Sequence, residues 1–433
     1  MSRSALGSLA LPGVFALISY LAYGSQILFR HIEPHALEQK QAFIFNALVA
    51  CIWITYARAC FTNPGWVPPA WNSNHSASEQ SPPSKKTLRW CRKCEALKPP
   101  RAHHCKICQR CIPKMDHHCP WTINCVSHRT FPHFLRFLCY ATASMVYLEY
   151  FIYLRVAVVW TGRNLPSYLG PTPTQLVFLF IFLIVNSLTL FALAILLARN
   201  IWCLGGNVTT IEGWEIERHQ TLVRRARVLG GYLDGPDGMR VKIRKQEFPY
   251  DIGILQNMRQ GMGGTPLLWL WPFTATPSIE SGLDFETNGF EDPSMSWPPP
   301  DPDRMPRLSN RPPYEQPFVY DEALSTTQNN VDAFRRRQEE DLKRYDGGAT
   351  TAIRRRPFHE RYRNGGHDEA SFASQPVGSD DLAGGEEVWR DSEGDRLDDF
   401  GVDEDAEFYD EDDIPLAELL RRRHEPAHYS DGN

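Results

Sequence analysis

The chain has 433 residues, with 46 Lys and Arg against 51 Asp and Glu and a formal net charge of −5. So small an acidic balance gives no general affinity for polyanions, and 11 cysteines gathered mostly in one stretch do not form the framework of a small disulfide protein. Length alone allows two or three soluble domains, but several long apolar runs exclude a wholly soluble chain.

Four segments approach the twenty or so apolar residues that a bilayer crossing needs: 9–29, 42–61, 137–160 and 176–198. The first is read as a retained helix rather than a signal peptide. It is longer than a signal core, has no small-x-small cleavage site, and three more spans follow. Residues 9–61 thus hold the first helix pair and 137–198 the second. Asn63-Pro64-Gly65 ends the second span with turn residues, and 62–87, rich in Pro, Ser and Asn, reads as a linker. Between Thr62 and His133 there are eleven Lys and Arg but only Glu79, Glu95 and Asp116 on the acidic side. Basic loops stay in the cytosol, which places this loop and both termini there. Within the third span Glu149 is expected to face the bundle interior, hydrogen-bonded to Asn186, Thr189 or a tyrosine. After the fourth span, 199–273 contains a helix start at Thr209 or Thr210 with Glu212 in its first turn, an ordered turn at 248–253, and Trp269 and Trp271 suited to a membrane interface. From 274 to 433 Pro, Ser, Asp, Glu and Arg dominate, and this tail is expected to be disordered. Its Arg335–Arg337 and Arg421–Arg423 blocks read as solvated charge.

The module at 88–134 carries the chemistry. Trp90–Ser127 holds seven of the cysteines and four histidines. Cys91, Cys94, His104 and Cys111 read C-x2-C-x9-H-x6-C, and Cys105, Cys108, His118 and Cys125 repeat that pattern fourteen residues later. Three thiolates and one imidazole are a usual set for tetrahedral structural zinc, so two structural Zn2+ ions are expected, with short hairpins at the C-x2-C knuckles and metal supplying the folding energy. In a reducing cytosol such thiols bind metal or react rather than pair. Two four-ligand sites leave Cys119 over. With His118 assigned to metal, His117 is the base available to Cys119 and Asp116 the group that orients it; an alternate metal ligand is the competing reading of Cys119. Filled coordination shells argue against a zinc-activated water. Cys51, Cys60, Cys139 and Cys203 read as packing residues, with Cys60 and Cys203 near the membrane face. Tethering at both ends to membrane spans puts the Cys119 thiol at the bilayer surface, where a fatty acyl thioester is a fitting substrate.

The run from Cys91 to Cys125 around Asp116-His117-His118-Cys119-Pro120-Trp121 resembles the DHHC protein S-acyltransferases. Thr209-Thr210-Ile211-Glu212 matches that family's Thr-Thr-x-Glu motif, Asn63-Pro64-Gly65 its Asp-Pro-Gly with Asn for Asp, and Pro249–Asn257 its C-terminal aromatic/Asn segment. Phe248–Gly263 and Trp269–Pro272 are further similar to fungal members of the endoplasmic-reticulum group that acylate chitin synthase. The resemblance implies a ping-pong reaction with palmitoyl-CoA as acyl donor and Cys119, His117 and Asp116 in the catalytic roles. It also implies membrane-embedded or membrane-associated protein substrates with cytosolic cysteines, a multi-pass location in the endoplasmic reticulum, and contacts from Lys98, Arg101, Lys114 or Arg129 to CoA phosphates. The fold expected is an all-α integral membrane protein of four helices with a cytosolic zinc-stabilised module and a disordered tail. A non-enzymatic zinc adaptor is the alternative. Nucleic-acid binding is not expected, because the module lacks a recognition helix and is moored between spans.

Overall fold

The computed structural model describes residues 3–68, 71, 89–164, 166, 170–235, 240–290, 297–299, 301–304, 389–403 and 407–408. Two compact units divide the chain: residues 1–308 with 388–433, which hold every described element, and 309–387, which lie outside the described residues. Most of the expected linker, the Arg335–Arg337 and Arg421–Arg423 blocks, and most of the expected disordered tail also lie outside them.

Among the described residues, four helices are long and apolar enough to cross a membrane. The first runs Arg3–Ser19, loosens into a π-helical turn at Tyr20–Gly24, and ends at Ser25–Phe29. The others are Gln39–Phe61, Phe131–Thr161 and Pro173–Gly205. The third starts six residues earlier than its hydropathy predicts and the fourth continues seven further. Apolar character marks only the lipid-facing length. The starts are set by caps: Pro132 follows the Thr130 N-cap, and Thr172 and Gln175 form a capping box. The third helix therefore rises directly out of the module with no linker between.

Lipid tails are as apolar as leucine, so the bundle is held by packing and interhelical hydrogen bonds more than by a hydrophobic drive. Phe29, Phe45, Leu148, Ile152 and Phe182 interlock at its centre, and Tyr20 in the π-turn stacks on Phe182 at 4.3 Å. Glu149 accepts from Asn186 Nδ2 at 2.6 Å, as its depth in the sequence predicts, and from Ser187 Oγ at 2.7 Å.

The module is three antiparallel hairpins in series: β1 (Arg89–Cys91) with β2 (Ala96–Lys98), β3 (His103–Cys105) with β4 (Arg110–Ile112), and β5 (His117–Cys119) with β6 (Asn124–Val126). The strands are three residues long, too short to stand alone. The third hairpin is hooked to the membrane bundle. Asn124 Nδ2 donates to Ala59 and Thr62 carbonyls, and Tyr56 Oη donates to the Trp121 carbonyl.

Beyond the bundle, Thr209 caps the helix Thr210–Val228: its Oγ1 accepts from Glu212 N at 3.2 Å while Glu212 reaches back to Thr209 N at 2.9 Å. A hairpin of β7 (Tyr232–Asp234) and β8 (Arg240–Lys242) and the short helix Ile254–Met262 follow. Pro272 accepts a hydrogen bond from Arg58, and Leu270 one from Tyr140, so the Trp269–Trp271 stretch lies beside the second and third membrane helices.

The expectation of disorder from residue 274 is corrected for the part described. Phe285 and Trp297 are buried with Tyr250, Arg218 holds Asp301 and Asp303, and Leu397, Phe400 and Val402 are buried against the module. Composition misses this because a few spaced apolar residues suffice to dock on a surface that already exists, where they would never make a core of their own.

Candidate active site

Each Cys/His set converges as its spacing predicts. Cys91 and Cys94 come from the β1–β2 knuckle, His104 and Cys111 from facing positions of β3 and β4. Their sulfurs lie 3.4, 3.3 and 3.9 Å from His104 Nδ1. The second set is built one hairpin on: Cys105, Cys108 and Cys125 place sulfurs 3.6, 3.6 and 3.5 Å from His118 Nδ1. Both sets bring four donors within 4.8 Å of one another and can hold a metal ion. The opposite nitrogen, His104 Nε2, is buried with no hydrogen-bond partner among the described residues, so the ring's polar contacts are all on the Nδ1 side, toward the three sulfurs.

The fourteen-residue repeat goes further than the ligand pattern. Cys91, Cys105 and Cys119 occupy the same place in successive hairpins, as do Cys94, Cys108 and Thr122. Glu95, Gln109 and Ile123 share a positive φ of 49, 54 and 50°. The third hairpin is thus a knuckle built like the other two, with Thr122 where a second thiol would stand and Pro132 where the histidine would, although Cys139 falls at the place of the fourth donor. Cys119 belongs to neither donor cluster. This signal was present in the sequence and missed there, because counting ligands treats Cys119 as a leftover rather than as the first residue of a third copy.

Asp116, His117 and Cys119 come together at that hairpin. Asp116 Oδ2 lies 2.7 Å from His117 Nδ1, and Cys119, two residues on along the same strand, lies near enough for imidazole and thiol to shift each other's protonation. Burial opposes charge on the imidazole, but the bond to Asp116 and the contact with Cys119 outweigh it and raise its pKa to about 10. Burial likewise pushes the thiol up, and His117 more than reverses this, leaving Cys119 below its ordinary value. Asp116 is held low against its own burial by His117 and by Thr210, whose backbone N–H and Oγ1 donate to it at 2.8 and 2.9 Å. The arrangement favours a thiolate–imidazolium pair.

The thiol opens onto an apolar cavity of about 560 Å3. His117, Cys119 and Trp121 line its mouth, and Leu17, Val49, Leu148 and Leu193 line it from the four membrane helices.

Comparison with known proteins bears on this geometry. The DHHC palmitoyltransferase family model matches residues 84–217. Palmitoyltransferase pfa4 of Emericella nidulans is 54% identical over 99% of this chain and 99% of that protein. The Aspergillus fumigatus palmitoyltransferase pfa4 is 52% identical over 96% and 98%, and that of Saccharomyces cerevisiae 33% over 65% and 79%. The chain belongs to the DHHC palmitoyltransferases. It is a protein S-palmitoyltransferase.

In this DHHC palmitoyltransferase two of the basic residues expected to face CoA phosphates are instead tied to neighbours, Arg101 buried and Lys114 half-buried, which corrects that expectation. Arg101 binds Glu212 through Nε at 2.6 Å and Nη2 at 2.7 Å, and Lys114 donates to Asn207 Oδ1 at 2.7 Å. Arg101 and Glu212 are both almost fully enclosed, and removing one partner of such a pair costs about 3–5 kcal/mol because the other charge is left buried alone. Asn207, at φ 53°, joins the two cations to the Tyr250 carbonyl and Gln260. Arg129 is spent on the Pro277 and Asn63 carbonyls. Cys139 packs among Leu135, Leu204 and Met262 as a small apolar residue.

Proposed function

We propose that Cys119 is the nucleophile, His117 the general base and Asp116 the residue that orients and charge-balances the imidazole. The observation that carries this reading is a thiol outside both candidate metal clusters that lines, together with His117, an apolar cavity among four membrane helices. The donor is palmitoyl-CoA, its chain lying in the cavity. The Cys119 thiolate attacks the thioester carbonyl, the carbon–sulfur bond to CoA breaks, and the leaving thiolate takes the proton from His117. An acceptor cysteine then gives its proton to His117 and attacks the acyl-enzyme, which frees Cys119.

Cys91, Cys94, His104 and Cys111 would hold one Zn2+, and Cys105, Cys108, His118 and Cys125 the other. Bound there, zinc cross-links the hairpins, and four protein donors at each site favour a structural role over activation of water.

The basic loop supports a cytosolic module and cytosolic termini. The sequence resemblance to the fungal group supports the endoplasmic reticulum as the membrane and a chitin synthase cysteine as one acceptor.

Incubation with labelled palmitoyl-CoA is expected to give a hydroxylamine-labile adduct that is lost in Cys119→Ser and severely slowed in His117→Ala. An adduct that persists in Cys119→Ser would refute the assignment of the nucleophile.

A further inference from the structure

The far end of the chain lies on the Cys/His module in the manner of a bound peptide. Trp389 packs edge-on against Trp214, ring centres 4.9 Å apart, with the Arg218 guanidinium over its face. Leu397, Phe400 and Val402 enter a cluster with Cys105, Ile112, Met115, Cys125 and Ile211, and Leu397 and Val402 are 1% and 0% exposed. The backbone pairs as an added strand does. Lys106 N donates to the Gly401 carbonyl at 3.0 Å, Asp403 N to the His104 carbonyl at 2.9 Å, and residues 407–408 form β9 against β1. Ion pairs join Lys93 to Asp403, Lys106 to Asp398 and Arg199 to Glu393.

Spaced apolar anchors, strand addition and a charged rim are the marks of peptide recognition rather than of a domain core. Residues 389–403 carry six acidic side chains against Arg390 and Arg396, and they meet a module whose rim is basic. The outermost pair is half-exposed: Arg199 and Glu393 keep 47% and 54% of their side-chain surface, so it biases the encounter more than it locks it. The groove also borders the strand that carries the reacting thiol. A Cβ at Gly401 would stand 2.9 Å from the Cβ of His118, the residue before Cys119.

We propose that this groove is an exchangeable docking site for protein substrates. An acidic segment of the substrate, with apolar side chains at the spacing of Leu397, Phe400 and Val402, enters it in place of the chain's own tail and brings a nearby cysteine to Cys119. The proposal rests on acyl transfer to proteins and adds where the acceptor is held. The resident segment is tethered, so it competes at an effective concentration of about millimolar. A substrate confined to the same membrane meets that competition where a dilute soluble peptide does not.

The test uses the full chain with a protease site inserted between residues 309 and 387 and cut after purification. The fragment ending at 433 is expected to stay bound, and a fluorescent peptide of residues 389–408 to displace it. A peptide carrying L397D and F400D is expected to bind at least about thirtyfold more weakly, as loss of a hot spot predicts. An acceptor peptide fused to residues 389–408 should show a KM lower by about tenfold on the cut enzyme with kcat unchanged. A retained fragment that no peptide displaces would make the contact a permanent seam and overturn the proposal. So would a fragment that leaves without peptide taking its place, or a KM indifferent to the fused segment. Displacement is read without acylation, so its failure is distinct from failure of the catalytic assignment.

Discussion

Thr210 tunes the acid of the proposed triad from 94 residues away. Its hydroxyl and backbone N–H hold Asp116 Oδ2 and Oδ1, so the carboxylate that faces His117 is fixed on both oxygens. Thr210→Val keeps the shape and removes one donor to a charged acceptor, a loss that slows acyl-enzyme formation about tenfold. Thr210→Ser should restore the rate, and bound metal should be unchanged in both variants. A rate for Thr210→Val equal to that of the parent would remove Thr210 from the site. That Asp116, His117 and Cys119 stand together was legible in the sequence, because they are neighbours in the chain. The partner at Thr210 was legible only as a helix cap, since local spacing says nothing about which distant side chain a cap will meet. Arg101 and Lys114 show the converse: basic residues in a basic loop read as contacts for CoA phosphates, and only the fold reveals that Glu212 and Asn207 hold them.

At the scale of elements, the proposed acyl site predicts that the membrane helices lining the cavity set the chain-length preference. The second helix runs toward the module, and Val49 lies ten residues before Ala59, about 15 Å deeper along the axis. Val49→Trp would fill the cavity from that depth. The preferred donor is expected to move from palmitoyl- to myristoyl-CoA or shorter, each methylene no longer accommodated weakening selection about fourfold. Acyl-enzyme yields across a chain-length series check this, and an unaltered palmitoyl preference would show that the chain lies elsewhere. Hydropathy disclosed the four spans because long apolar runs have one physical use, yet it misplaced the start of the third. The Phe131–Arg136 turn is partly polar and belongs to module and membrane at once, with His133 and Arg136 buried there. The π-turn at Tyr20–Gly24 left no trace in composition at all.

For the whole molecule, metal and catalysis should separate cleanly. Metal analysis is expected to find about two zinc ions per chain in the parent and in Cys119→Ser, and about one in Cys91→Ser, whose remaining donors cannot close the first site. A loss of zinc in Cys119→Ser would favour the alternate-ligand reading of that thiol. The docked tail was the part least accessible to sequence reasoning. Polar composition correctly denied it a core of its own, but the surface that receives Leu397 and Val402 is assembled some 290 residues earlier in the chain.

The third knuckle gives the enzyme a particular way of failing. Cys119 stands in a hairpin shaped like a metal site that would hold no ion of its own; it is tied to the second membrane helix through Asn124 and Trp121 and, through His118 and Cys125, to the metal proposed for the neighbouring donor set. A chelator that strips that metal takes away the splint and leaves every reacting atom in place. Inactivation would therefore follow the pace at which the hairpins unravel, trailing metal release instead of coinciding with it, and recovery on adding zinc back would be timed by refolding.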